Sequence, residues 1–328
     1  MANLIIVGSV ALDTVKTPFG QVKDALGGAA TYSSYSASFF TKPGIVGVVG
    51  GDFPKEHLQL LQQRGISTEG IEIDKEGKTF RWEGYYEYDM NEAKTASTEL
   101  GAFASFQPQL PESYKDADYV FLANIDPQLQ LKVLEQVKKP KLVLLDTMNY
   151  WIANKKQQLL DVIKKSHIVL LNDSEARQLF ETPNLVKAAA AALKLGPKYV
   201  IIKKGEHGAL LFSDGRHFSA PAYPLEAIKD PTGCGDSFAG ALIGYLASKG
   251  SMTLLGKAQV DNSRLGPVAT ATWGSIQNTL EKDIRKAIIY GSVIASFNAE
   301  DFGLERLKRL TTAEIEERYK EFEQIREF

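Results

Sequence analysis

Short apolar runs alternate with stretches of helical periodicity along most of the chain. Leu4–Val7, Ile45–Val49, Tyr119–Ala123, Leu142–Leu145, Ile168–Leu171, Tyr199–Lys203 and Ala209–Phe212 read as strands, most of them apolar on both faces. That is the pattern of a sheet covered by helices on two sides. Between them, Lys55–Arg64, Gln128–Val137, Ser174–Phe180 and Leu185–Leu195 read as helices. The alternation predicts an α/β fold with a mostly parallel central sheet and right-handed crossovers. Ligands of such sheets gather beyond the carboxyl ends of the strands. Ser9, Asn124, Asp146, Asn172 and Lys203 stand at those ends.

One segment breaks the pattern. From Lys78 to Tyr88 the chain alternates, with Phe80, Trp82, Tyr86 and Tyr88 on one face and Arg81, Glu83, Tyr85 and Glu87 on the other. This predicts a one-sided sheet. Its aromatic face is a candidate contact for substrate or for a second subunit. Towards the C-terminus, Leu280–Phe297 and Thr312–Phe328 read as helices, the last with a charged, solvated face (Glu314, Glu316, Glu317, Arg318, Lys320, Glu321). Gly250–Ser275 is rich in Gly, Ser, Thr and Asn and reads as a long surface excursion. No internal repeat or linker divides the 328 residues.

The densest chemistry lies in Asp230-Pro231-Thr232-Gly233-Cys234-Gly235-Asp236, followed at once by a helical pattern from Phe238. Gly233 and Gly235 allow a tight turn and close backbone approach. The first turn of the helix leaves N–H groups unpaired at the positive end of its dipole, a site for phosphate or a developing oxyanion. A carboxylate beside such a site repels phosphate. Asp236 makes sense there if it deprotonates a hydroxyl that attacks phosphorus.

Composition narrows the classes. The formal charge of −2 gives no basic surface for nucleic acid. No apolar stretch approaches the roughly 20 residues that span a bilayer. The N-terminus lacks a basic leader region, and with one cysteine the chain suits a reducing, cytoplasmic setting. His57, His167, His207 and His217 show no zinc spacing. No dinucleotide fingerprint follows Leu4–Val7, and Gly77-Lys78-Thr79 lacks the leading glycine of a P-loop, since Glu72 stands in that place.

The 230–236 run resembles the C-terminal motif of the ribokinase-like (phosphofructokinase B) carbohydrate and nucleoside kinases, commonly Asp-Thr-Xaa-Gly-Ala-Gly-Asp. Pro231 replaces the usual threonine and Cys234 the usual alanine. The resemblance implies a three-layer ribokinase-like sandwich over 1–328, with a small β lid built from about 10–24 and 72–104. It implies transfer of the ATP γ-phosphoryl group to a hydroxyl of a small sugar or sugar derivative. The alternatives are a nucleoside acceptor of the adenosine or inosine/guanosine type and, remotely, a non-catalytic sensor on the same fold. Asp236 would be the base, and the backbone of Gly233, Cys234 and Gly235 the anion hole.

The same resemblance assigns Asp13, Gly27, Gly28, Thr31 and Asn124 to the acceptor, and Asn172, Lys203, Gly205, Gly208, Asn298 and Gly303 to the nucleotide. Glu175 would hold Mg2+ through water. Asp230 and Thr232 would hold a monovalent cation such as K+. A homodimer through the lid is a further implication. Read locally, Asn172 and Glu175 also form a capping box, Gly205 and Gly208 a hairpin turn, and Asp13 a strand end. Ile45–Asp52 reads as packing with Asp52 as a helix cap. Cys234, at a helix N-terminus, is a candidate for a lowered pKa and alkylation, with a thiol dispensable to the chemistry.

Overall fold

A computed structural model describes residues 2–250 and 267–325. Nine strands form the central sheet: β1 (Leu4–Val7), β4 (Pro43–Gly50), β5 (Ser67–Asp74), β8 (Tyr119–Leu122), β9 (Leu142–Leu145), β10 (Ile168–Asn172), β11 (Tyr199–Lys203), β12 (Ala209–Ser213) and β13 (Arg216–Ala220). Their order is β13-β12-β11-β10-β9-β8-β1-β4-β5. Pairing is parallel from β5 to β11 and antiparallel at β12 and β13. All seven strands read from the sequence are present. The additional edge strands β5 and β13 carry mostly polar residues and so lack an apolar run.

Side-chain alternation builds the three layers. Leu4 and Ile6 face one core, Ile5 and Val7 the other. The first core takes α1 (Ala29–Ala37), α2 (Lys55–Gln63), α8 (Cys234–Lys249) and α9 (Pro267–Ala299). The second takes α3 (Pro127–Gln136), α5 (Lys156–Lys165), α6 (Asp173–Phe180) and α7 (Leu185–Leu193). From β1 the winding runs through β4 to β5 on one side and from β8 to β11 on the other. The crevice beyond β1 is therefore the switch point where α/β sheets bind ligands.

α1 is buried at every position, although it reads Ala-Ala-Thr-Tyr-Ser-Ser-Tyr-Ser-Ala. Small residues let it press against α8. A methyl group on Gly240 would lie 2.1 Å from the Ser33 carbonyl oxygen, and one on Gly244 would lie 2.7 Å from Ala37 Cα. Neither helix needs a polar face, because neither has a solvent side.

A second sheet, β3-β2-β6-β7, leaves the end of β1. It comprises β2 (Ala11–Thr17), β3 (Gly20–Gly27), β6 (Phe80–Tyr86) and β7 (Ala93–Glu99). Residues 72–74, expected in this sheet, instead pair with β4 in the main one. Tyr88 lies beyond β6 and is exposed. Asp52 caps no helix, since α2 starts after Pro54; it accepts from Thr79 N and Oγ1 (both 2.7 Å) and from Arg81.

The C-terminal region differs from expectation. Pro267 to Ser275 is helical, part of α9, because Leu280–Phe297 is only the second half of a 33-residue helix. The remainder of the expected excursion, 251–266, lies outside the described residues. After α10 (Glu305–Lys308), α11 (Thr312–Ile325) is less solvated than its charges suggest. Arg318 donates to Glu300 (2.7 Å) and lies 3.4 Å over the Phe297 ring. Arg306 joins Glu300 and Glu314 (2.8 and 2.7 Å). These contacts fasten the end of α9. No described helix is long and apolar enough to cross a membrane.

The α1–α8 contact gives the first prediction. Gly240→Ala should destabilise the protein by about 1–3 kcal/mol, the usual cost of overpacking. A lowered urea midpoint would register it; an unchanged midpoint would mean that the two helices do not pack this closely.

Candidate active site

The turn before α8 is held from behind by hydrogen bonds. Asp230 is fully buried. Its Oδ1 accepts from Thr232 N (2.9 Å) and its Oδ2 from Gly303 N (3.1 Å). The Ala299 carbonyl accepts from Lys229 N and Asp230 N (2.8 and 3.3 Å). Asn298, also fully buried, donates from Nδ2 to the Thr232 carbonyl (2.8 Å), while its Oδ1 accepts from Ser237 Oγ (3.3 Å). Gly233 then turns left-handed (φ 74°) and starts the helix. A methyl group there would lie 2.5 Å from the Tyr32 ring, so the backbone lies flat on that ring.

The first helical bond runs from Ser237 N to the Gly233 carbonyl (2.7 Å). The N–H groups of Gly233, Gly235 and Asp236 make no bond among the described residues. Cys234 differs from expectation twice. Its N–H is spent on the Pro231 carbonyl (3.1 Å), so it is not part of an open anion hole. Its thiol faces the Ala295 carbonyl (3.4 Å), and burial pushes its pKa up to about 12, not down.

Carboxylates surround the turn. Burial pushes Asp236 up to about 7; the charge of Asp146 adds to this and Lys203 opposes it. Asp13, on β2, is also pushed up to about 7, by burial first, with the charges of Asp236 and Asp230 adding and the Gly28 N–H opposing. Tyr32 rises further for the same reasons: burial, then Asp13, Asp230 and Asp236. Asp13, Tyr32, Asp230 and Asp236 thus share one electrostatic environment.

Gly27 and Gly28 fit closely around Asp13. A methyl group on Gly27 would meet Asp13 Oδ2 at 1.9 Å, and Gly28 has φ 92° with its N–H on that carboxylate (3.3 Å). Ser9 Oγ then accepts from Ala29 N (3.0 Å), capping α1.

A second group lies at the ends of β9, β10 and β11. Lys203 donates to Asp146 Oδ2 (2.6 Å). Burial alone would lower Lys203, but Asp146 and Glu175 raise it. Its Nζ lies 3.4 Å from where a Gly235 methyl group would be. Glu175 and Asn172 form the capping box: Asn172 Oδ1 accepts from Glu175 N, and both Glu175 oxygens accept from Asn172 (all 2.7 Å). Burial pushes Glu175 up to about 8.

Other expected residues have different surroundings. Thr31 is fully enclosed in α1, with no partner for its hydroxyl among the described residues. Asn124 is held by Trp151 Nε1 (2.9 Å) and Met148 Sδ (3.2 Å). Asn298 and Gly303 bind the turn rather than an open nucleotide pocket. Gly208 has φ 80°, and a methyl group on it would meet the Ala220 carbonyl oxygen at 2.1 Å, so it serves the β12–β13 backbone. Gly205 (φ 54°) lies instead beside the loop between β6 and β7, with 3.9 Å from Asn91 Oδ1 to its absent methyl position.

Two contacts had no signal in the sequence. Tyr86, the last residue of β6, places its hydroxyl 3.4 Å from Thr232 Oγ1. Asp146 anchors Lys203 across 57 residues. Two surface hollows of about 360 and 490 Å3 are lined by neither Asp13 nor Asp236; the first borders Gly84 and Tyr86 of the small sheet.

A family model described as pfkB family carbohydrate kinase matches residues 2–308. A cytidine kinase of Thermococcus kodakarensis is 34% identical over 253 residues, covering 75% of this chain and 89% of that protein. Among solved structures, a Burkholderia thailandensis nucleoside kinase in complex with inosine superposes with a TM-score of 0.71 at 19% identity, covering 97% and 98% of the two chains. A putative ribokinase II from E. coli in complex with ATP and Mg2+ superposes with a TM-score of 0.73 at 18% identity, covering 98% and 100%. At these identities the two structures establish the fold, which is that of ribokinase.

The raised carboxylate makes a testable demand on stability. Folded Asp236 keeps a proton that the unfolded chain releases above about pH 4, so folding is weakened as pH rises towards 7. Asp236→Asn lacks this titration. Its melting temperature should exceed the wild type's by a margin that grows from pH 4 to 7 and is constant above. A margin independent of pH would contradict the assigned environment.

Proposed function

The chain belongs to the pfkB family of carbohydrate kinases, ATP-binding phosphotransferases, and from that premise we propose that it moves the γ-phosphoryl group of ATP to a hydroxyl of a nucleoside. The observation that carries the chemistry is Asp236, held near neutrality beside three open N–H groups. A base with a pKa near the working pH combines a useful ionised fraction with enough basicity. The relative with the highest identity reported above is a cytidine kinase, which supports the nucleoside alternative over the sugar expected from the motif.

In this reading Asp236 takes the proton of the attacking hydroxyl. The N–H groups of Gly233, Gly235 and Asp236 receive the charge that develops on the transferring group. Lys203, steadied by Asp146, meets the nucleotide phosphates with Gly205 and the start of α6. Asp13 accepts two neighbouring ribose hydroxyls, with the Gly27-Gly28 backbone closing around them. The small sheet acts as the lid: Tyr86 carries it to Thr232, which excludes water and suppresses hydrolysis of ATP.

Hard oxygen donors suit magnesium, and Glu175 and Asp146 are the carboxylates on the phosphate side. The oxygens of Glu175 accept from Asn172 and those of Asp146 from Thr147 N and Lys203, so these two would reach the ion through water. Bound there, it would neutralise phosphate charge. No step is assigned to a monovalent cation.

The test is ADP release with a panel of cytidine, uridine, inosine, adenosine and ribose. Nucleosides should be phosphorylated in preference to ribose. Asp236→Asn should lower kcat by roughly 10²–10⁴ while ATP still binds. Release unaffected by that substitution would refute the base. Release with ribose alone would restore the sugar kinase, and release with no acceptor of the panel would favour the sensor.

A further inference from the structure

On the inner face of the small sheet, Trp82 is the neighbour of Asp13. β2 and β6 pair in parallel, with Asp13 opposite Trp82, Val15 opposite Gly84, and Tyr86 at the end that meets Thr232. Paired residues of a sheet share a face, about 4.8 Å apart. The indole therefore stands on the same side as the Asp13 carboxylate and the catalytic turn.

Its posture is unusual. A methyl group on Gly84 would lie 2.2 Å from Trp82 Cη2 and Cζ2, so the six-membered ring lies flat across the backbone at Gly84. Any residue with a Cβ there would push the ring upright. The indole N–H donates to Thr95 Oγ1 (3.1 Å), and Thr95 is the residue paired with Gly84 on β7. Glycine beneath and threonine at the side hold the ring flat. Trp82 remains partly exposed, and no aromatic ring or cation stacks on it among the described residues.

We propose that Trp82 is the platform on which the nucleobase of the acceptor stacks while Asp13 holds the ribose hydroxyls. The inference rests on the nucleoside reading and deepens it. A flat ring one strand from the sugar-binding carboxylate matches a planar base attached to the neighbouring ribose carbon. Every base offers a π face, so such a platform favours nucleosides over free sugars without choosing among bases.

The test uses Trp82→Leu, Trp82→Phe and wild-type enzyme with cytidine and inosine. Loss of a stacked base weakens binding about 5- to 150-fold. Trp82→Leu should raise the nucleoside KM by that factor and leave the ATP KM unchanged. Trp82→Phe should retain most of the affinity. Cytidine should quench the intrinsic fluorescence of the wild type, and the quench should shrink in Trp82→Phe.

If the wild type phosphorylates nucleosides and Trp82→Leu leaves their KM unchanged, the platform is wrong and the kinase reading stands. If Trp82→Leu raises the ATP KM and lowers the melting temperature in step with the nucleoside effect, Trp82 is structural and the proposal is overturned. If the wild type phosphorylates no nucleoside, the parent reading fails and the platform with it.

Discussion

Gly233 lies in a left-handed turn against the face of Tyr32, and the open N–H groups of the site exist because of that contact. A residue with a side chain would be strained at this φ and would collide with the ring. Tyr32 is itself held because α1 approaches α8 closely at Gly240 and Gly244. Ser33, the next residue, bonds the Asp236 carbonyl (3.1 Å). From the other side, Asn298 ties Thr232 to α9, and the Arg306–Glu300–Arg318 group fastens the end of that helix. Distant segments converge on one turn, and their packing holds its unbonded amides in place.

The same enclosure sets the electrostatics. Asp13, Asp230 and Asp236 stand together with one phenol among them, and the cation that opposes the rise of Asp236, Lys203, is bound to Asp146. Burial raises all three acids; the charges of Asp236 and Asp230 add to it at Asp13, and that of Asp146 adds to it at Asp236. The arrangement costs stability and leaves two carboxylates basic enough to bind hydroxyl protons near neutral pH. Active sites commonly trade folding energy for poised groups of this kind.

Much of this was legible in the sequence because it is local. Apolar runs gave the seven strands, and Gly-Cys-Gly-Asp before a helical pattern gave the turn, the carboxylate beside it and the helix N-terminus. Asn172 and Glu175 formed the box that their spacing implies. What was missed depends on contacts between distant residues. Nothing at position 298 shows that its amide closes a turn 66 residues earlier. Gly208 and Gly205 look alike in sequence, yet one is required by β13 and the other lies beside Asn91. The spent N–H of Cys234 follows from the turn geometry that Pro231 sets, not from composition. The flat posture of Trp82 depends on Gly84 and on a partner strand. The motif alone leaves sugar and nucleoside acceptors open, because both offer hydroxyls to a carboxylate; the cytidine kinase relative supports the nucleoside.

The central claim is spatial: phosphoryl transfer takes place between Asp236 and the amides of Gly233 and Gly235. The most direct measurement is a crystal structure with ADP, aluminium fluoride and an acceptor nucleoside. The account predicts the fluoroaluminate within hydrogen-bonding distance of those amides, with Asp236 facing the acceptor oxygen in line. A fluoroaluminate bound away from the turn, or an acceptor oxygen out of reach of Asp236, would contradict it.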